Sequence, residues 1–518
     1  MDPDVDALMN TIRRSGLTPP DALAVLGDLI NGSGDANRLD GVETALLCAE
    51  GIRKAVATEH ERALAHYFTA NAHAIRRRLV PVGKPINEWD DPDLAGEIRH
   101  LRMALQCQGW ADLDPYQACQ MLTNLGNALS RCGRLVEALE WYDKALSLDS
   151  NFGMAVANRG LVLVDYANRV HDRIRRNVTV CIARTELLRA TELPLEKGAE
   201  AIVSRSLARL EARAPAGFPW HESFPTGTFD RFPVEDQPYR RWALKHRLFL
   251  EEINDLGEWP IGARDTLTLP GHVSALGEGP RYIGLFNQMK QEFVAARWML
   301  FDGLGERPHP ADTEVVLADT MDYPALSFRT EQLRCAFRSA YSLLDKIAFF
   351  LNHYLQLGIR DENVAFRTVW FESHKTQRLR SPVAKALSEP IRALVWVGQD
   401  MFDPDSEYRA ALLPDAKDLW EIRRRLEHRY LKLHGEGWSE AWDAVPSRVG
   451  LRDDLALSLS REAFIEKTYR LMKMVRASLV YLAWAMNAEE DARREARDPG
   501  EVTPPIVLPP LLRPGPTS

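Results

Sequence analysis

The chain has 518 residues, with 65 basic and 73 acidic side chains giving a formal net charge of −8. That balance excludes a surface that coats nucleic acid indiscriminately, so any phosphate binding must be local. The length exceeds what one hydrophobic core usually organises, and two or three domains are expected.

Six cysteines without a C-x-x-C pair and 13 histidines without H-E-x-x-H spacing provide no metal framework. A reduced, cytoplasmic protein with no metal and no other cofactor fits this usage. The first residues, MDPDVDALMN, lack the basic-then-apolar order of an export signal, and the longest strongly apolar run, LVYLAWAM at 479–486, is too short to span a bilayer. No membrane association is expected.

In chain order, the first clear pattern lies at 119–193. Leu122, Leu125, Gly126, Leu129, Ala138, Tyr142 and Ala145 fall at the spacings of a tetratricopeptide repeat, a helix-turn-helix unit of about 34 residues. Small residues at Gly126 and Ala138 allow two helices to approach closely, while Leu129 and Tyr142 fill the space beside them. Gly160 follows Gly126 by one repeat length, with Ala183, Leu187 and Ala190 as packing positions of a second helix expected to start late, near Cys181. Ala70-Asn71-Ala72 stands where Gly126-Asn127-Ala128 stands later, so 61–79 resembles a degenerate repeat. Residues 1–212 therefore read as a helical solenoid.

Residues 213–284 carry Pro215, Pro219, Pro225, Pro233 and Pro238 among aromatics. Proline at that density interrupts helix, and the aromatics imply a connector, with one short helix, that packs on something. Residues 285–498 return to helical periodicity in four long segments, as in a bundle, and 499–518 form a Pro-rich tail expected to be extended. The predicted fold class is all-α.

The densest chemistry is EIRRRLEHRYLKLH, 421–434, read as one helix. Leu419, Ile422, Leu426, Tyr430 and Leu433 gather on an inward face, while Arg424, His428 and Leu431 form a second face suited to a two-fold contact. Arg423 and His428 make an R-x-x-x-x-H motif, and Arg429 and His434 make another in an overlapping register. Histidine titrates near neutrality and can move a proton; arginine stays charged and can hold developing negative charge on a phosphate. The plainer alternative is a solvated cationic helix whose charges pair with Asp418, Glu421 and Glu427.

Together, RRRLEHRYLKLH, AFRSAYSLLDKIAFFLNHY and TNLGNALSRCGRLVEALEWYDKAL resemble the HEPN superfamily, in its bacterial branch where tetratricopeptide-like repeats precede the HEPN bundle. The resemblance covers roughly residues 89–487. It implies a metal-independent endoribonuclease in which a ribose 2′-hydroxyl attacks the adjacent phosphate. His428 is then the general acid/base and Arg423 the transition-state clamp, with Arg424, Glu427, Arg429, His434 and Asp345 as RNA-binding or supporting residues. Asp345 would orient Arg423, although a surface charge is the simpler reading of it. The resemblance further implies an RNA substrate, a homodimer, a protein partner or trigger at the repeats, and a role in antiviral defence or a toxin-like stress response. A non-catalytic scaffold that dimerises and recruits a protein or nucleotide partner is the alternative. Arg424 departs from the small polar residue that often follows the motif arginine.

Overall fold

Capping residues set off runs of strong helix formers along most of this backbone. Thr58 and Glu61 close a reciprocal box, Asp91 accepts from the amides of Asp93 and Leu94, and Ser327 and Ser460 each accept from the amide three residues on. The computed structural model describes the chain except for residues 1–3, 15, 81–90, 216, 219, 221–225, 274–277, 319, 321, 374–377, 387, 402–411, 436–452, 454, 498–507 and 509–518. The Pro-rich tail lies almost wholly outside the described residues.

The first half is helical hairpins. Helices α1 (Val5–Arg13), α2 (Pro19–Asp35) and α3 (Leu39–Ala55) lead into α4 (Glu59–Leu79) and α5 (Pro92–Gln106). There follow α6 (Pro115–Arg131), α7 (Leu135–Leu148), α8 (Gly153–Arg169), α9 (Arg173–Ala190) and α10 (Ala199–Arg213). The pairs α4/α5, α6/α7 and α8/α9 each pack closely and stack in sequence, so the segment around Ala70 continues the solenoid. At Gly126 a Cβ would sit 2.6 Å from Tyr142 Cε1, which is why glycine stands there. Ala183, Leu187 and Ala190 are buried as expected, but α9 starts at Arg173 rather than near Cys181. Asp172 accepts from the Arg175 amide and nucleates the helix upstream of the apolar positions.

The proline-rich connector is docked. It holds α11 (Gln237–Lys245), and Leu248, Phe249, Leu250 and Ile253 are buried behind it. Arg476 binds Asp255 and donates to the carbonyls of Phe249 at 2.6 Å and Glu251 at 2.8 Å.

The second half contains α12 (Arg281–Gly303), α13 (Pro310–Thr313), α14 (Phe328–Tyr354), α15 (Ser381–Lys385), α16 (Glu389–Asp400), α17 (Ala416–His428) and α18 (Arg461–Glu495). Helices α12 and α14 pair along their length, and α18 packs on α14 and α16. One apolar core runs without a break from Ala63 in the solenoid to Met486 in α18. Among the described residues no helix is long and apolar enough to cross a membrane.

The fold is all-α, with one local departure that matters for the site. The spacing that predicts a helix through residue 434 is overridden: α17 ends at His428, Arg429 adopts φ −141° and ψ −141°, and Tyr430–His434 is a strand, β1. It pairs in parallel with β2 (Ala456–Ser460), Tyr430 opposite Ala456, and on its other side the Ala325 amide donates to the Leu433 carbonyl at 2.6 Å. Strand partners on both edges satisfy the backbone, and Leu431 and Leu433 are drawn into the core. Leu431 therefore cannot belong to an exposed two-fold face, and Tyr430 faces solvent instead of packing inward.

Candidate functional site

Helix α17 is placed at both ends. Asp415, just before it, receives Arg470 and Lys467 from α18, and Ala416, Leu419 and Ile422 bury one stripe. Glu421 ties Arg424 at 2.6 Å and Arg425 at 2.7 Å within the helix, and Arg425 Nη1 donates to the Leu455 carbonyl at 2.7 Å, fixing the entry to β2. Burial opposes the Glu421 charge, but these two arginines hold its pKa below the ordinary value.

Arg423 is reached from the neighbouring helix. Its Nη2 donates to Asp345 Oδ2 of α14 at 3.1 Å, and the guanidinium carbon lies 4.4 Å from the centre of the Tyr341 ring. Asp345 also accepts from the Phe366 amide at 3.0 Å, so its carboxylate is held from two sides. Burial works against the Arg423 charge, and Asp345, Tyr341 and Glu427 outweigh it, raising the pKa above the usual arginine value.

His428 occupies the last helical position with a side chain 73% exposed. Its Nε2 stands 3.6 Å from Glu427 Oε2, while Glu427 Oε1 stands 3.3 Å from Arg423 Nε. One carboxylate therefore faces both members of the motif. Five positions on an α-helix rotate side chains apart by about 140°. Glu427, lying between them on the helix surface, spans that gap.

Residues 273–489 match the family model described as LA2681-like HEPN, and residues 120–152 match that of a tetratricopeptide repeat. The chain carries a HEPN domain behind a tetratricopeptide repeat. Neither a curated protein nor a solved structure matches the chain.

Within the HEPN domain the remaining candidates separate. Arg424 lies 4.8 Å over the Trp420 ring and is bound to Glu421. Arg429 is exposed just past the helix end, whereas His434 is 2% exposed in β1, with Nδ1 3.1 Å from the Asp322 carbonyl oxygen. The second R-x-x-x-x-H register thus spans a helix end and a buried strand, and burial removes His434 from any surface that RNA could touch. Asp345 is not a mere surface charge, because it grips Arg423. Asp418 binds Lys467 at 2.8 Å, outside the helix's own charges.

Tyr341 and Arg367 were missed in the sequence. Tyr341 precedes Asp345 by one turn of α14 on the same face, a spacing that was readable. Arg367 adjoins Phe366, whose amide Asp345 fixes, and it acts electrostatically on Tyr341. Only tertiary structure brings it here. Among the described residues no group of three or more His, Cys, Asp or Glu side chains could hold a metal ion.

Proposed function

We propose that the HEPN domain is a metal-independent endoribonuclease cleaving RNA by 2′-hydroxyl transesterification under control of the repeats. The observation that carries this reading is the Glu427 carboxylate, which gathers Arg423 and His428 at an open helix end. His428 takes the 2′-hydroxyl proton as O2′ bonds to phosphorus; the P–O5′ bond breaks, leaving a 2′,3′-cyclic phosphate, and O5′ leaves as a hydroxyl once protonated. A guanidinium has five N–H donors, of which one faces Glu427 and one Asp345, so Arg423 retains donors for the charge that builds on the phosphate oxygens.

One imidazole cannot serve as base and acid in the same step, so a second copy of the chain supplies the other. Trp420 on α17, Tyr430 on β1 and Leu455 just before β2 are exposed and give the apolar surface for that contact, in place of Leu431. The HEPN dimer is then the cleaving unit, and the repeats act as its sensor or restraint in antiviral defence or a toxin-like stress response. An RNA-cleaving domain harms its own cell unless held in check.

The test is incubation of RNA with wild type, Arg423→Ala and His428→Ala, with and without EDTA, followed by analysis of product ends. Cyclic phosphate ends from wild type alone, unchanged by EDTA, support the reading; equal cleavage by all three, or loss with EDTA, ends it. A second reading, a non-catalytic scaffold, draws on the pairing of Arg423, Arg424 and Arg425 with carboxylates, which suits a structural helix. Absent cleavage together with a stable protein partner on the repeats would favour it.

A further inference from the structure

A formal charge of −8 confines phosphate binding to a local patch, and the arginines of α17 are already engaged, since Arg423, Arg424 and Arg425 each have a carboxylate partner. The connector differs. Its turn at Phe229–Arg231, the first half of α11 and the segment at Arg264 bring four guanidiniums onto two neighbouring phenylalanine rings. The guanidinium carbon of Arg240 lies 4.1 Å from the centre of the Phe232 ring, that of Arg231 4.8 Å and that of Arg264 6.0 Å, while Arg241 lies 3.9 Å from the centre of the Phe229 ring. The two ring centres are 6.2 Å apart, so the four charges form one cluster.

Little neutralises it. Arg231 donates to the Pro260 carbonyl at 2.7 Å and Arg240 to the Ala263 carbonyl at 2.8 Å, whereas Arg241 and Arg264 have no hydrogen bond or ion pair among the described residues. On the same segment Asp236 stands 3.6 Å from Arg240, and Asp230 and Glu235 are exposed with no ion pair among the described residues. Burial, then the charges of Arg264 and Arg240, lower the Arg231 pKa: its neighbours repel it. A ring face holds a cation in place without cancelling its charge or occupying its N–H donors. Arg231, Arg241 and Arg264 are exposed, so those donors are open to an anion.

The donors are spread around two rings rather than converging on one point, which suits successive phosphates of a strand better than a single anion. An aromatic face adjoins them. Trp298 of α12 is 46% exposed and meets Tyr239, the residue before Arg240, edge-on at 4.7 Å. Cations for the backbone beside aromatic faces for the bases are what a single strand binds.

We propose that this connector surface binds single-stranded RNA apart from the α17 site, with Arg231, Arg240, Arg241 and Arg264 on backbone phosphates and Trp298 under a base. It holds the strand on which α17 acts. That link rests on the proposed nuclease; the binding itself does not.

The experiment is filter binding of the full chain to a single-stranded RNA methylated at every 2′-oxygen, which cannot undergo transesterification. Arg231→Gln with Arg264→Gln should weaken binding about tenfold and lower the slope of log K against log salt by about 1.4, the value for two contacts on a single strand. Trp298→Ala should weaken binding about tenfold with the slope kept. Arg205→Gln with Arg209→Gln makes the same charge change at exposed positions of α10 and should leave the slope unchanged. Circular dichroism checks each fold, and Arg264→Gln alone, expected to lower the slope by about 0.7, replaces the connector pair if that pair unfolds. No saturable binding, an equal loss in the two arginine pairs, or competition by polyglutamate as strong as by RNA of equal charge overturns the surface. With unmodified RNA, the connector pair should raise KM about tenfold. A wild type that binds methylated RNA as expected but never cleaves the unmodified strand defeats the nuclease reading and leaves the surface standing, whereas cleavage with KM unchanged in the connector pair defeats the link.

Discussion

Arg423 and His428 meet at a single carboxylate: Glu427 presents one oxygen 3.3 Å from the arginine Nε and the other 3.6 Å from the histidine Nε2. Asp345 grips the same arginine from α14 at 3.1 Å. Two carboxylates hold Arg423, and they do different things. Asp345 anchors it to the bundle; Glu427 couples it to the histidine.

The two roles separate by substitution. If the HEPN domain cleaves RNA as proposed, Asp345→Asn should free Arg423 and lower kcat for cleavage by about 10- to 100-fold, since a misplaced clamp loses orientation. Glu427→Gln keeps the anchor while removing the charge that Arg423 and His428 share, so it should lower kcat by less than Asp345→Asn does. Pre-steady-state cleavage of a short RNA measures both. An equal fall in the two variants would show that Glu427 has no separate part.

Arg367 gives a second electrostatic test. It is half-buried beside Tyr341 and is placed by the Phe366–Asp345 hydrogen bond. If it contacts a phosphate, Arg367→Gln should weaken RNA binding and reduce the slope of log K against log salt by about 0.7, the value for one contact on a single strand. Fluorescence anisotropy at several salt concentrations reads the slope. An unchanged slope would place Arg367 off the RNA path.

How much of this was readable depends on the distance over which each feature is decided. The α6/α7 repeat was legible because Gly126, Ala138 and Tyr142 act within one hairpin, and the Gly126–Tyr142 approach is local packing. The inward face of α17 was legible at Leu419 and Ile422 for the same reason. The end of that helix was not, because β1 is decided by Ala456–Ser460 and by the segment at Pro324 and Ala325, far away in sequence. Lys432 is buried among Asp322 and Asp453, partners that no helical periodicity displays. Asp345 looked like a surface charge because the arginine that pairs with it lies 78 residues on. The bundle helix α16 went unread beside its neighbours, and the docking of Gly398 against Trp370 Nε1 depends on tertiary contact.

Stability should also depend on pH through the connector. Glu252 is buried, and burial first, then the neighbouring Glu251, raises its pKa from the ordinary 4.5 to about 7; Trp484 and Arg175 oppose this and Asp255 adds to it. The folded chain thus keeps a proton that the unfolded chain releases above about pH 4.5, so the stabilisation is full below that value and is lost as pH rises through about 7. The loss is at most about 3 kcal/mol. Glu97, raised to about 6 by burial, works in the same direction, so the informative quantity is the difference between wild type and Glu252→Gln. Thermal melts from pH 5 to pH 8 should show wild type losing stability relative to that variant; parallel curves would mean that Glu252 ionises normally.

The junction between solenoid and bundle makes the last prediction. Asp400, 1% exposed at the end of α16, receives Arg102 at 2.6 Å and Arg134 at 2.8 Å, both from the solenoid. Nearby, the Val136 amide donates to the Tyr481 hydroxyl at 3.1 Å, and that hydroxyl also binds Glu137. Removing the carboxylate strips Arg102 and Arg134 of their shared partner and leaves Arg134 with Glu137, and breaking such a buried set costs about 3–5 kcal/mol. Asp400→Ala should therefore lower the melting temperature. Since one apolar core runs through both halves, wild type should unfold in a single calorimetric transition. In Asp400→Ala the solenoid and bundle should begin to separate, broadening or splitting that transition. Asp400→Ala combined with Arg134→Met removes a charge from each side and should recover part of the loss. A wild type with two well-resolved transitions would show that the halves are energetically independent, and any control of α17 by the repeats would then need a route other than this junction.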